Sequence, residues 1–144
     1  MTLIDANVLL YAYDRTSPHH QPAREWFEAS LSSSEQVGLA WMTVLAFMRI
    51  STSPRPLDHP LSIAEAASLV SAWLARPTVT LLTPGERHWG ILRRLLAEGQ
   101  AQGPLVMDAH LAALAIEHGA TLATTDKDFT RFPGLRIINP IQPR

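Results

Sequence analysis

Four aspartates, with the amides and hydroxyls beside them, are the side chains in this sequence whose types and spacing could carry chemistry. Asp5 ends the short apolar run Thr2-Leu3-Ile4 and is followed by Ala6 and Asn7. Asp108 opens an apolar stretch late in the chain, and Asp126 and Asp128 follow Thr121-Leu122-Ala123-Thr124. Each is expected at a strand exit or in a helix's first turn, on the rim where open α/β sheets bind ligands. Clustered carboxylates raise one another's pKa unless a cation neutralises them. Hard divalent ions such as Mg²⁺ or Mn²⁺ prefer all-oxygen ligands of this kind. The residues thus point to a metal site begun by Asp5 and joined by Asp108, Asp126 and Asp128.

Each aspartate also has a plain structural alternative. Asp108 would make a good helix N-cap, Asp126 and Asp128 are ordinary turn residues, and Asp5-Ala6-Asn7 could cap the first helix. These alternatives weaken when taken together, because an unpaired acid beside Leu3, Ile4 and Val8 costs several kcal/mol. Spacing alone leaves both readings standing. The histidines favour structural roles: His118 suits a helix C-terminus, His110 is a packing residue on another face from Asp108, and His19-His20 is a solvated loop.

The elements that must position the acids can be read in order. A first strand at Thr2–Ile4 leads into a helix over Val8–Tyr13, broken at Asp14–Pro18. A second helix runs from about His20 to Leu31, with Ala23, Trp26, Phe27 and Leu31 on one face. Val37–Ala40 reads as a buried strand and Met42–Ile50 as a third helix. Arg55–Pro60 is an irregular connection. Ser62 and Glu65 form a capping-box pattern opening a helix to about Ala75. Val79–Leu82 is a strand, and a long helix opens at Thr83 or Gly85 and ends near Gly99 or Gly103. A last helix spans roughly Asp108–His118, closed by Gly119. Thr121–Thr124 and Leu135–Ile138 are strands, the latter at a sheet edge. This alternation implies a three-layer α/β/α sandwich with a mostly parallel central sheet.

At 144 residues, 47% apolar and 17% charged, the chain fits one globular domain over residues 1–144. The net charge of −1 gives no general nucleic-acid coat. The absence of cysteine excludes disulfides and thiolate metal sites. No apolar stretch reaches the ~20 residues of a membrane span, and Asp5 within the first apolar run argues against a signal peptide. A cytoplasmic location without membrane association is expected.

Three segments together resemble the PIN-domain family, in particular the VapC toxins of bacterial toxin–antitoxin pairs. They are Asp5-Ala6-Asn7-Val8-Leu9-Leu10, Asp108-Ala109-His110-Leu111-Ala112-Ala113, and Thr124-Thr125-Asp126-Lys127-Asp128-Phe129. The resemblance covers essentially the whole chain, including the order of the acidic motifs. It implies a Mg²⁺-dependent endoribonuclease, with Mn²⁺ as an alternative ion, held inactive by a cognate VapB-like antitoxin. A homodimer is the assembly it implies. Asp5 and Asp108 would hold the main ion, Asp126 would ligate directly or through water, and Asp128 would stand behind them. The ion would polarise a phosphoryl oxygen and lower the pKa of the attacking water. Asn7 and Thr124 would orient carboxylates or water, and Arg49 is a candidate phosphate contact or a structural ion-pair partner.

One departure matters. The family usually carries a second acid in the third helix, three residues before an Arg. Here Arg49 is present, but Ala46 occupies the acid's slot, and Thr43 on the same helical face offers an oxygen without charge. An impaired PIN-like module that binds RNA or protein is therefore the rival reading. Trp41, Met42, Phe47 and Met48 are core residues or the lining of a groove for a dimer mate or antitoxin helix. A receiver-like domain or an acidic-pocket phosphatase is disfavoured: Lys127 is poorly placed for the first, and Asp-x-Asn replaces the Asp-x-Asp of the second.

Overall fold

A computed structural model describes residues 1–55, 57 and 59–142. Its five strands are β1 (Thr2–Ile4), β2 (Val37–Leu39), β3 (Val79–Leu81), β4 (Thr121–Ala123) and β5 (Ile137–Ile138). Its helices are α1 (Ala6–Tyr13), α2 (His20–Ser32), α3 (Trp41–Ser51), α4 (Ile63–Leu74), α5 (His88–Glu98) and α6 (Leu105–Glu117), and a 3-10 turn covers Lys127–Arg131. The strand order is β3-β2-β1-β4-β5, and every pairing is parallel. The expected α/β/α sandwich is the fold observed. Of the irregular connection expected at Arg55–Pro60, Pro56 and Asp58 lie outside the described residues.

Period-two alternation assigns the two faces of the central strand. Leu3 faces a core shared with Leu95, Leu111, Leu114 and Leu122 under α5 and α6. Ile4 faces the other core, with Val8, Phe27, Phe47 and Trp73 under α1 to α4. Because both faces are covered, the inner strands need no polar side, which is why Leu3-Ile4, Val37-Gly38-Leu39 and Leu122-Ala123 read as apolar runs. Gly38 in β2 serves this packing: a Cβ there would stand 2.8 Å from Leu82 Cδ1.

The chain leaves β1 toward β2 and β3, then returns to the other side of β1 for β4. The switch point therefore falls between the C-terminal ends of β1 and β4, where Asp5 and Asp126 emerge. The backbone seals that junction, Asp5 N–H donating to the Ala123 carbonyl at 2.9 Å.

Three boundaries differ from expectation, each for a local reason. α1 begins at Ala6, two residues early, because Asp5 caps it. α5 begins at His88 rather than at Thr83 or Gly85, because the Gly85 and Arg87 N–H groups donate to the Glu117 carboxylate at 2.8 and 3.0 Å. α6 begins at Leu105, with Pro104 in the capping position, so Asp108 lies inside the first turn and is not the cap. The Ser62–Glu65 capping box forms as expected, both bonds at 3.0 Å.

Candidate active site

At the switch point a hydrogen-bonded clamp joins the ends of β1 and β4. Thr124, 1% exposed, donates its hydroxyl to Asp5 Oδ2 at 2.8 Å and accepts from the Asp126 N–H at 3.1 Å. Asn7 Nδ2 donates to the same hydroxyl at 3.3 Å, and Asn7 Oδ1 accepts from the Thr125 N–H at 3.3 Å. Asp5 Oδ1 takes the Ala6 N–H at 2.7 Å, so both Asp5 oxygens are fixed in direction. Each carboxylate oxygen has further lone pairs, so capping and ion binding do not exclude one another.

The other acids arrive from separate elements. Asp108 projects from the first turn of α6, while Asp126 caps the 3-10 turn by accepting the Asp128 N–H at 2.8 Å. Oxygens of Asp108, Asp126 and Asp128 all lie within 4.8 Å of one another. Asp5 stands beside this trio and not within it. Burial pushes the Asp5 carboxyl up from its ordinary pKa, opposed by its bonds to Thr124 and Ala6, with Asp126 adding to the rise. Burial also pushes Asp108 up, to about 6, and the charges of Asp126, Asp5 and Asp128 add to it, while Arg131 opposes them. Two acids that resist ionising beside further carboxylates form a set that a cation would relieve. Three carboxylates at this spacing, without sulfur or imidazole among them, suit a hard divalent ion.

Other residues singled out in the sequence lie apart. Thr43 is buried in the first turn of α3, its hydroxyl without a hydrogen-bond partner among the described residues. Arg49 is exposed and makes no ion pair among those residues. His118 closes α6 and hydrogen-bonds the Thr83 carbonyl at 2.8 Å. Phe27, Phe47 and Trp73 are core, whereas Trp41 is 51% exposed.

A family model described as PIN domain matches residues 2–135. The chain belongs to the PIN-domain family. Ribonuclease VapC37 of Mycobacterium tuberculosis is 45% identical to it over 140 residues, 97% of each chain. Ribonuclease VapC33 of the same species is 37% identical over 142 residues, 99% of each. Among solved structures, VapBC2 from Rickettsia felis, bound to a DNA fragment from its promoter, superposes with a TM-score of 0.67 at 19% identity. That match covers 96% of this chain and 97% of the other. VapC20 of Mycobacterium tuberculosis, described as a sarcin–ricin loop cleaving toxin, gives a TM-score of 0.64 at 14% identity, over 94% and 99% of the two chains. At those identities the superpositions speak for the fold.

Two features of this PIN domain escaped the reading of its sequence. Arg131 reaches from the 3-10 turn to the Gly99 carbonyl at 2.9 Å. His88 Nε2 and His110 Nδ1 meet at 2.9 Å between α5 and α6. Both join residues far apart in the chain, so no local spacing announces them; the only sequence cue was a cation three residues past Asp128.

Proposed function

We propose that this PIN domain is a metal-dependent endoribonuclease, a VapC toxin that hydrolyses RNA phosphodiester bonds and is restrained by a VapB-like antitoxin. The observation that carries the proposal is the convergence of Asp108, Asp126 and Asp128, with Asp5 alongside, at the switch point of the sheet. Identity of 45% to a named VapC ribonuclease over nearly its full length supports it. The VapBC complexes that share the fold support the antitoxin partner, and a homodimer remains part of the proposal.

Asp108, Asp126 and Asp128 would hold the ion, Mg²⁺ or Mn²⁺, with Asp5 as the fourth carboxylate of the site. When bound, such an ion supplies Lewis-acid polarisation of the phosphoryl group and neutralises developing charge. The residues themselves do the rest. Thr124 and Asn7 keep Asp5 oriented, so the site is organised before substrate arrives. The N-terminus of α6 places partial positive charge beside Asp108. An ionised carboxylate among these can accept a proton from the attacking water. Arg49, exposed on the helix that follows β2, is free to contact a phosphate.

Purified protein should cleave RNA when Mg²⁺ or Mn²⁺ is supplied, stop on chelation, and lose cleavage with Asp5→Asn. Equal cleavage by wild type and variant would defeat the proposal. Ala46 favours one rival, a PIN module that keeps RNA or antitoxin binding without cleavage, since α3 offers no carboxylate there. RNA retention without cleavage by the wild type would select it.

A further inference from the structure

Asp108 is carried by α6, whereas Asp126 caps the 3-10 turn and Asp128 lies within it. Their spacing therefore depends on what ties those two elements together. The turn leading into α6 is tight, with Gln100 at φ 50° and Gly103 at φ 60°. It begins at Gly99, the C-cap of α5, whose N–H donates to the Leu95 carbonyl at 2.8 Å.

Two successive residues at the end of the 3-10 turn grip Gly99. Arg131 Nη1 donates to its carbonyl at 2.9 Å. The ring of Phe132, 3% exposed, lies so close that a Cβ on Gly99 would stand 2.8 Å from it and 2.8 Å from the Leu95 carbonyl oxygen. Arg131 Nε is buried without a hydrogen-bond partner among the described residues, so the side chain is committed inward and not to solvent. Arg131 makes no ion pair with a carboxylate among those residues.

We infer that Arg131 is a positioning residue, which with Phe132 latches Gly99 to the 3-10 turn and thereby sets Asp108 against Asp126 and Asp128. The inference rests on the metal-site reading above only for its effect on ion binding; the latch itself is a matter of geometry. It makes a prediction opposite in sign to simple electrostatics. Removing a cation near a carboxylate cluster should tighten divalent binding if charge is all that counts. Removing a latch should weaken it, and loss of a supporting contact behind metal ligands typically costs about 10- to 100-fold in affinity.

The test is calorimetric titration of Mn²⁺ into wild type, Arg131→Met and Gly99→Ala, with amide hydrogen exchange of residues 99–110 measured without metal. Arg131→Met keeps an unbranched apolar stem and loses donor and charge; Gly99→Ala changes no charge and crowds the same contact. Arg131→Lys, which keeps the charge but replaces the planar fork with a compact ammonium, serves if either fails to fold and should likewise weaken binding, unchanged or tighter binding counting against the latch. Expected is an affinity loss of about tenfold or more in both variants, with faster exchange in the first turn of α6. Unchanged or tighter Mn²⁺ binding in both variants would overturn the latch. If wild type itself binds no Mn²⁺, the metal reading falls, and the latch is then decided by exchange alone: unaltered exchange overturns it.

Discussion

Asp108→Asn should stabilise the metal-free protein at neutral pH while disabling the site. In the native state the Asp108 carboxyl titrates at about 6, against an ordinary value of 3.8. Between those values the native state holds a proton that the unfolded chain has released, so stability falls as pH rises through the window. Below it the group costs nothing; above it the full penalty of an ionised, crowded carboxylate is present. A shift of this size corresponds to roughly 3 kcal/mol at 1.36 kcal/mol per unit. Asp108 is only partly buried, however, so solvent screens much of that, and about 1 kcal/mol is the expected effect. For a chain of this length, that is a rise in Tm of about 3 °C.

The assay is thermal unfolding of both proteins in chelator from pH 4 to pH 8. The curves should coincide near pH 4, separate through pH 5 to 6, and stay apart above, the variant on top. Saturating Mg²⁺ or Mn²⁺ should reverse the order, because ligand stabilises only the protein that binds it. A variant less stable than wild type at pH 7 in chelator, or a difference independent of pH, would refute the assignment of Asp108 to a repelling cluster.

Thr124→Val should lower stability by about 1–2 kcal/mol, because Asp5 Oδ2 would keep only the longer Asn7 contact at 3.4 Å. RNA cleavage should fall in kcat more than in KM, and unaffected cleavage would remove the clamp from the site. Ala46→Glu should tighten Mn²⁺ binding by calorimetry; unchanged or weaker affinity would show that this slot of α3 does not face the ion. Trp73→Ala should cost about 3–5 kcal/mol, since Trp73 packs against Phe47 and Phe27 at ring separations of 4.9 and 5.5 Å. Urea unfolding with an unshifted midpoint would contradict that.

What the sequence showed and what it hid divide by range. Strand positions were legible because β1, β2 and β4 are buried on both faces past their first residues and carry apolar residues there. The capping box was legible because both its partners lie within one turn. The convergence of the aspartates was legible only as a shared position on the rim, since Asp5 and Asp126 are brought together by strand order and not by spacing. The start of α5 was hidden because its competitor for backbone N–H groups, Glu117, lies about thirty residues further on. The 3-10 turn was hidden because a short i→i+3 segment has no periodic signature. Arg131 stood out no more than Gly99 did as a helix stop: each is ordinary until the other is beside it.

The site is built with unequal stiffness. Asp5 follows a strand flanked on both sides, and Thr124 ties its carboxylate to the neighbouring strand. Asp128, by contrast, is exposed on a single 3-10 turn beyond β4. The rigid half sits where both cores meet beneath β1, so the fold can bear the cost of desolvating Asp5 there without yielding. Asp128 itself faces solvent and can adjust as charge is neutralised, but the turn beneath it is anchored by the buried rings of Phe129 and Phe132. Repulsion among the four carboxylates therefore works against the packing that holds the 3-10 turn in place. A contact such as Arg131 with Gly99 is worth most at that place, since it limits how far the turn can retreat from Asp108.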